Sequence, residues 1–333
     1  GATGYIGSSV LSRLLAEGHE VTALVRDAAK ARTVEGAGAI GLVGDVTDAA
    51  LVAEAASAAD GVAPREIVKD AIYRTVDGRP LHLDIYVHPD AGKIPGPVLI
   101  HFHGGGWARG ARPESWTGFR SYLTAGFSVV TVQYRLAGQA HAPAAVEDAR
   151  CALHWVGANS ARFGFDTGRI VVSGTSAGGH LALMTGLLPP ANDVDPEDCR
   201  KGPKASAILD FYGPADLTAT DGGKRHPTIA NWIGTGPGAA AMERRMSPVT
   251  WLSAASPPVF IGHGDADPIV PVAQSIDLKR RLDALVVSSD IFIVAGGGHG
   301  KFDPTSQSAM TARALAFLCG HGIPASAACG TKN

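Results

Sequence analysis

The stretch RIVVSGTSAGGHLALMTGLL, residues 169–188, limits the possible folds more than any other part of this chain. RIVVS reads as a buried strand and AGGHLALM as a buried helix, with GTSAG (174–178), a G-x-S-x-G pattern, between them. A strand that enters a helix this abruptly needs a strained turn, and small neighbours let the two backbone segments pass without collision. On such a turn the Ser176 hydroxyl projects at the C-terminal edge of a sheet, and the helix N-terminus faces any negative charge that develops there. An ordinary glycine-rich turn between strand and helix is the plainer alternative, and the pattern alone does not choose between the two.

The rest of the chain supplies the sheet such a turn requires. VKDAIYRTVDGRPLHLDIYVHPD reads as two strands joined at Asp77-Gly78, a strong hairpin signal. VLIHFHGGGW (98–107) is an apolar strand running into glycine, and FSVVTVQYR (127–135) is another strand. ASAILDFYG (205–213), PPVFIGHGDAD (257–267) and SDIFIVAGGGHG (289–300) are three further strands, each ending in a loop. Helices are expected over 113–125, 144–162, 272–285 and 306–320. This alternation predicts an α/β fold with a mostly parallel sheet and helices on both faces.

Composition narrows the partners. With 333 residues, 45% of them hydrophobic and 18% charged, the chain can bury a large core or two ordinary ones. A net charge of -2 gives no electrostatic case for nucleic acid or an anionic membrane. No apolar run approaches the ~20 residues of a membrane span. The four cysteines form no CxxC pair, so no metal cage is expected. Cys151 reads as a small buried hydrophobe within a helix, while Cys199, Cys319 and Cys329 could include a disulfide whose pairing stays open.

Three loops add chemistry to the Ser176 turn. The consecutive glycines of HGGGW (103–107) free backbone N–H groups to point at a carbonyl oxygen that becomes charged. A phosphate loop is the competing reading, but it wants a following helix and, for a P-loop, Gly-Lys-Ser/Thr. HGDADPIVP (263–271) places Asp267 after a strand, with Asp265 as its competitor, and GGGHG (296–300) places His299 after the next one. A lone Asp or His at a strand end is usually a turn residue. The order Ser176, Asp267, His299 at the ends of successive strands is the order of a hydrolase triad. His101 and His103 alternate like a metal pair without a third ligand. Tyr134 and Arg135 read as scaffold for the glycine loop, and Glu147 and Asp148 as solvated or salt-bridged.

On HFHGGGW, VQYRLAG, APAAVEDARCALHWV, GTSAGGHLA, DFYGPADL, SPVTWLSAASPPVFIGHGDADPIVP and GGGHG, residues 64–321 resemble the α/β-hydrolase esterase/lipase family. They are most similar to the carboxylesterase branch that includes bacterial feruloyl and acetyl-xylan esterases. The resemblance implies a carboxylic-ester hydrolase of EC 3.1.1 type. Ser176 is then nucleophile, His299 base and then acid, and Asp267 the carboxylate that orients the imidazole. It implies an oxyanion hole from the Ala177, Gly105 and Gly106 amides, with Trp107 either lining the substrate pocket or packing in the core. No cofactor or metal is implied; the partner is a small-molecule or carbohydrate-linked ester, and the oligomeric state stays open. Thr175 departs from the Asp that usually precedes the nucleophile in the hormone-sensitive-lipase-like branch. That branch's N-terminal cap is not evident either, and the Pro/Gly-rich region 189–246 is the candidate roof.

The first 60 or so residues are of another kind. GATGYIG, Arg26 and GDVTD resemble the N-terminal part of the extended short-chain dehydrogenase/epimerase family, an NAD(P)-binding, Rossmann-like β-α half-unit. Gly1, Gly4, Gly7 and Arg26 are its candidate cofactor contacts, and an NADP-binding oxidoreductase or a bifunctional fusion is the alternative function. Against it, no strand leads into the glycine turn, and none of the six tyrosines has Lys four residues on. The expected organisation is a non-functional Rossmann-like segment over 1–62, loosely packed or borrowing a sheet edge, a catalytic domain over 63–321, and a loose tail over 322–333. The visible chain carries no leader, which favours the cytoplasm, while a leader upstream of Gly1 would favour secretion.

Overall fold

The computed structural model describes residues 22–25, 28–36, 40–43, 62–219, 226–324 and 329. The chain divides into two compact units, Gly1–Val62 and Ala63–Asn333. In the first, strands β1 (Thr22–Val25) and β2 (Ile40–Val43) pair in parallel, with the helix Ala28–Gly36 between them in sequence. The glycine turn at Gly1, Gly4 and Gly7, and Arg26, lie outside the described residues.

The second unit is built on an eight-stranded sheet of order β10-β9-β8-β7-β5-β6-β4-β3. Its strands are β3 (Glu66–Val76), β4 (Arg79–Val87), β5 (Gly96–Phe102), β6 (Ser128–Val132), β7 (Phe165–Thr175), β8 (Ala207–Phe211), β9 (Val259–Gly264) and β10 (Ser289–Val294). β4 is antiparallel to both its neighbours, β3 at the edge and β6, and the pairs from β6 across to β10 are parallel. Asp77 and Gly78 make the β3–β4 turn with φ of 49° and 74°, the pair of positive values a two-residue type I′ hairpin demands.

The two faces of the sheet bury alternate residues, as the pleat dictates. Val98, Ile100, Val172, Ile208 and Ile261 pack toward the helices Ala144–Ala158, Ala177–Leu187 and Ala273–Ala284. Leu99, Val171, Leu209 and Phe260 pack toward Arg120–Thr124 and Pro304–Gly320. The last helix starts where the sequence permits: the Asp303 carboxylate accepts from the Thr305 and Ser306 amides, and Pro304 takes the first position. In the β8-to-β9 crossover the helices Pro227–Ile233 and Ala239–Met246 are described.

Some elements differ from expectation. Only a 3₁₀ turn, Thr117–Phe119, and the short helix Arg120–Thr124 form within 113–125, because the Ser115 hydroxyl accepts the Thr117 amide and fixes a turn there. The helix expected over 144–162 breaks at Asn159, whose side chain donates to the Trp155 carbonyl, and Gly164 at φ 72° stops its second piece. Cys151 is buried as expected but is not a free hydrophobe. It is bonded to Cys199, which ties the helix Ala144–Ala158 to the turn Glu197–Cys199, and Cys319 is bonded to Cys329. No helix among the described residues is long and apolar enough to cross a membrane.

Candidate active site

β7 delivers the chain to Ser176, and the next helix starts at Ala177. Ser176 holds φ 55° and ψ -121°, a conformation that costs a side-chain-bearing residue roughly 1–3 kcal/mol. The surroundings fix it there. Its amide donates to the Phe211 carbonyl at 2.9 Å, and its own carbonyl accepts the His180 amide at 3.0 Å. A Cβ on Gly174 would strike the Gly178 carbonyl, and one on Gly178 would strike the carbonyls of Phe102 and His103. The two flanking glycines are therefore conditions of the serine's exposure.

The sheet edge brings Ser176, Asp267 and His299 together although they lie far apart in sequence. His299 Nε2 is 2.8 Å from Ser176 Oγ, and His299 Nδ1 is 2.6 Å from Asp267 Oδ2. A carboxylate can only accept from Nδ1, so that nitrogen carries the proton and Nε2 is left to accept from the serine hydroxyl. The Asp267 side chain is fully buried, and its Oδ1 accepts the amides of Ile269 at 2.8 Å and Val270 at 3.0 Å. Asp265 is placed differently. Its carboxylate accepts the Gly296 amide at 2.6 Å and fastens the loop that carries His299. The Tyr212 ring meets the imidazole of His299 edge-on, with centroids 5.0 Å apart.

The HGGGW turn lies against the serine turn. A Cβ added at Gly104 would sit 3.0 Å from the Thr175 carbonyl and 3.5 Å from the Ser176 Cβ. Gly105 and Gly106 adopt φ of 126° and 61°, and their amides, like that of Ala177, have no hydrogen-bond acceptor among the described residues. The turn is braced from behind. The Tyr134 hydroxyl donates to the His103 carbonyl at 2.8 Å, and the Ala137 amide donates to the Trp107 carbonyl at 2.7 Å. Arg135, beside that tyrosine, is held by Asp148 and Glu147, and Asp148 is completely buried between Arg135 and Arg74. Three backbone amides without an acceptor among the described residues thus lie in the two turns that meet at Ser176.

Comparison with known proteins places the chain in a family. The profile of the family described as BD-FAE matches residues 83–282, well over half of the chain. The chain belongs to the BD-FAE family of α/β-hydrolases. Esterase LipC of Mycobacterium tuberculosis is 30% identical over 262 residues, covering 71% of this chain and 61% of LipC. Esterase LipQ of the same organism is 30% identical over 258 residues, covering 73% of this chain and 60% of LipQ. The chain thus spans about three fifths of the length of these relatives. Among solved structures, a truncated carbohydrate esterase from gut microbiota is 25% identical with a TM-score of 0.64, covering 78% of this chain and 99% of its own. Butyrate-bound Est2 of Thermogutta terrifontis is 26% identical with a TM-score of 0.67, covering 80% of this chain and 96% of its own. A separate NAD(P)H-binding family profile matches residues 1–63.

In this BD-FAE member Trp107 takes the second of its two expected places, packing in the core. Trp107 does not line an open pocket: it is 2% exposed, stacked on Trp232 at 4.5 Å, and its indole N–H donates to His180 Nδ1 at 3.3 Å. Its backbone holds φ 56°, in the left-handed region, directly after the glycines. His180 completes that cluster by donating from Nε2 to the Met246 carbonyl at 2.7 Å, and burial pushes its imidazole down to about 4. His101 is also pushed down to about 4 by burial and lies against Phe119, while His103 stacks on Tyr134. Among the described residues, the one trio with metal-ligand spacing is Cys151, Asp198 and Cys199, and its sulfurs are spent in a disulfide. Sequence reasoning missed Asp210, a fully buried carboxylic acid on β8 that a Cβ at Gly179 or Gly213 would strike, and His263, four positions before Asp267. A polar residue amid an otherwise apolar strand was the available signal for both.

Proposed function

We propose that the chain hydrolyses carboxylic esters through an acyl-enzyme on Ser176. The observation that carries this reading is the pair of contacts of His299, 2.8 Å to Ser176 Oγ and 2.6 Å to Asp267 Oδ2. As Ser176 Oγ attacks the ester carbonyl, His299 Nε2 takes its proton and Asp267 stabilises the imidazolium. The carbonyl oxygen becomes an oxyanion and receives the amides of Ala177, Gly105 and Gly106, donors typically worth ~10²–10³ each in kcat. His299 then gives its proton to the departing alcohol. In the second half it takes a proton from water, whose oxygen attacks the acyl carbon, and returns that proton to Ser176 Oγ as the acid leaves.

We infer short-chain, acetyl or feruloyl esters of a small-molecule or carbohydrate alcohol; likeness to a gut carbohydrate esterase supports the carbohydrate alcohol, and likeness to a butyrate-bound esterase the short-chain acyl group. Residues 1–62 take no part in the hydrolysis, because every residue named in these steps lies in the unit Ala63–Asn333. The test is turnover of p-nitrophenyl acetate, acetylated xylan and methyl ferulate by the full chain and by one begun at residue 63. Ser176→Ala is expected to lose about 10⁴–10⁶-fold in kcat. A wild-type serine that resists a fluorophosphonate probe would falsify the proposal.

A further inference from the structure

His263 stands on β9, two residues inside Asp265 and four before Asp267, and its side chain is completely buried. Its Nε2 is 2.9 Å from the Val270 carbonyl and 3.2 Å from Asp267 Oδ2, the same carboxylate oxygen that meets His299. Its Nδ1 is 2.7 Å from the Ser275 hydroxyl, on the helix Ala273–Ala284. Two oxygens that can only accept face Nε2, so Nε2 carries the proton; Nδ1 then accepts from Ser275. The groups facing the ring are Asp267 from its own loop, His299 from the loop after β10, the Tyr212 ring from the turn after β8, and Ser275. Burial holds this imidazole below its ordinary range, against the opposing pull of the Val270 carbonyl and Asp267.

We propose that His263 is a positioning residue for the reaction: as a fixed Nε2–H donor it holds Asp267 Oδ2 in line with His299 and tempers the carboxylate's pull on the His299 proton. The proposal rests on the hydrolase reading above. Asp267 Oδ1 is already fixed by the Ile269 and Val270 amides, which leaves Oδ2 as the atom whose direction decides where the imidazole points. A second donor on Oδ2 restricts that direction. It also shares the carboxylate's charge, so an imidazolium at 299 is favoured less than it would be beside an acid without that donor.

The sign of the effect on activity follows. Without the donor, Asp267 favours the protonated imidazole more, and the acidic limb of the kcat/KM profile moves to higher pH. His263→Phe keeps a ring and removes the donor, whereas His263→Gln keeps an N–H near the Nε2 position. The phenylalanine variant is expected to lose about 10–100-fold in kcat with KM little changed, the fold-change of a hydrogen bond to a charged group. Its acidic limb should move up by about half a unit to one unit. The glutamine variant is expected to restore most of the rate and return the limb. A folded phenylalanine variant with wild-type rate and limb, or a glutamine variant that falls as far, overturns the proposal. Should the phenylalanine variant not fold, long-range proton–nitrogen spectra of the wild-type imidazoles decide. A neutral Nε2–H tautomer of His263 at all pH values between 5.5 and 8.5 is expected, and an Nδ1–H tautomer or a titration in that range overturns it. This readout needs no turnover, so loss of the ester-hydrolase reading, seen as an inert Ser176, is told apart from loss of the His263 assignment.

Discussion

Two buried carboxyl groups lie to one side of the serine strand, one on β8 and one in the loop after β9, and their surroundings could hardly differ more. Asp267, past the end of β9, has two amides on one oxygen and two imidazole nitrogens within reach of the other. Asp210, on β8, has one amide, Gly213, on Oδ1 at 3.0 Å, and its Oδ2 has no partner among the described residues. Burial pushes Asp210 up to about 8, and the Gly213 amide offsets only part of that. At neutral pH it is therefore an uncharged acid, packed where Gly179 and Gly213 leave it room. The lesson is that depth alone does not make a carboxyl group reactive; the number and direction of its donors do.

The contrast is broken or sharpened by three substitutions. Asp267→Asn carries the largest expected effect, a fall of about 10⁴-fold in kcat with the fold intact, because an amide at that position favours the wrong imidazole tautomer. A loss below tenfold in steady-state hydrolysis would make the two carboxyls alike. Asp210→Asn should leave kcat within about threefold and act on stability instead. Its folded-state value of about 8 lies above the 3.8 of an ordinary aspartate, so between those limits the folded chain holds a proton that the unfolded chain has released. Stability then declines as pH rises from about 4 to about 8 and is flat above, a slope the asparagine removes. Thermal unfolding at pH 8 should shift up by about 2–6 °C, and by less at pH 5. An equal shift at both values would remove Asp210 as the cause. The smallest effect belongs to Asp265→Ala, which deletes one exposed acceptor of the Gly296 amide and should cost about two- to threefold in kcat. A loss as deep as that of the Asp267 variant would mean that the His299 loop depends on Asp265 for more than its anchoring.

Much of this site is legible in the sequence because its signals are local. Ser176, Asp267 and His299 each follow an apolar strand and sit among small residues, and the structure brings all three within hydrogen-bond reach. What is not legible depends on partners that are distant along the chain. Asp148 reads as solvated or salt-bridged; its burial rests on Arg74, which arrives from β3 at the far edge of the sheet. The pairing of Cys151 with Cys199 crosses 48 positions, and nothing nearby in sequence marks it. Trp107 is buried against Trp232, which arrives from the crossover between β8 and β9. The approach of His263 to Asp267 is missed for the same reason, since HGDAD looks like a turn until β9 and the helix Ala273–Ala284 are placed.

The crossover between β8 and β9 sets the helix Pro227–Ile233 over the glycine turn, where Thr228 meets Gly106 and Trp232 covers Trp107, yet it supplies none of Ser176, Asp267 or His299. The three proposed catalytic residues and the cover over the glycine turn therefore occupy separate stretches of chain. Rewriting the crossover would reshape what lies over the glycine turn and leave the contacts among Ser176, Asp267 and His299 in place.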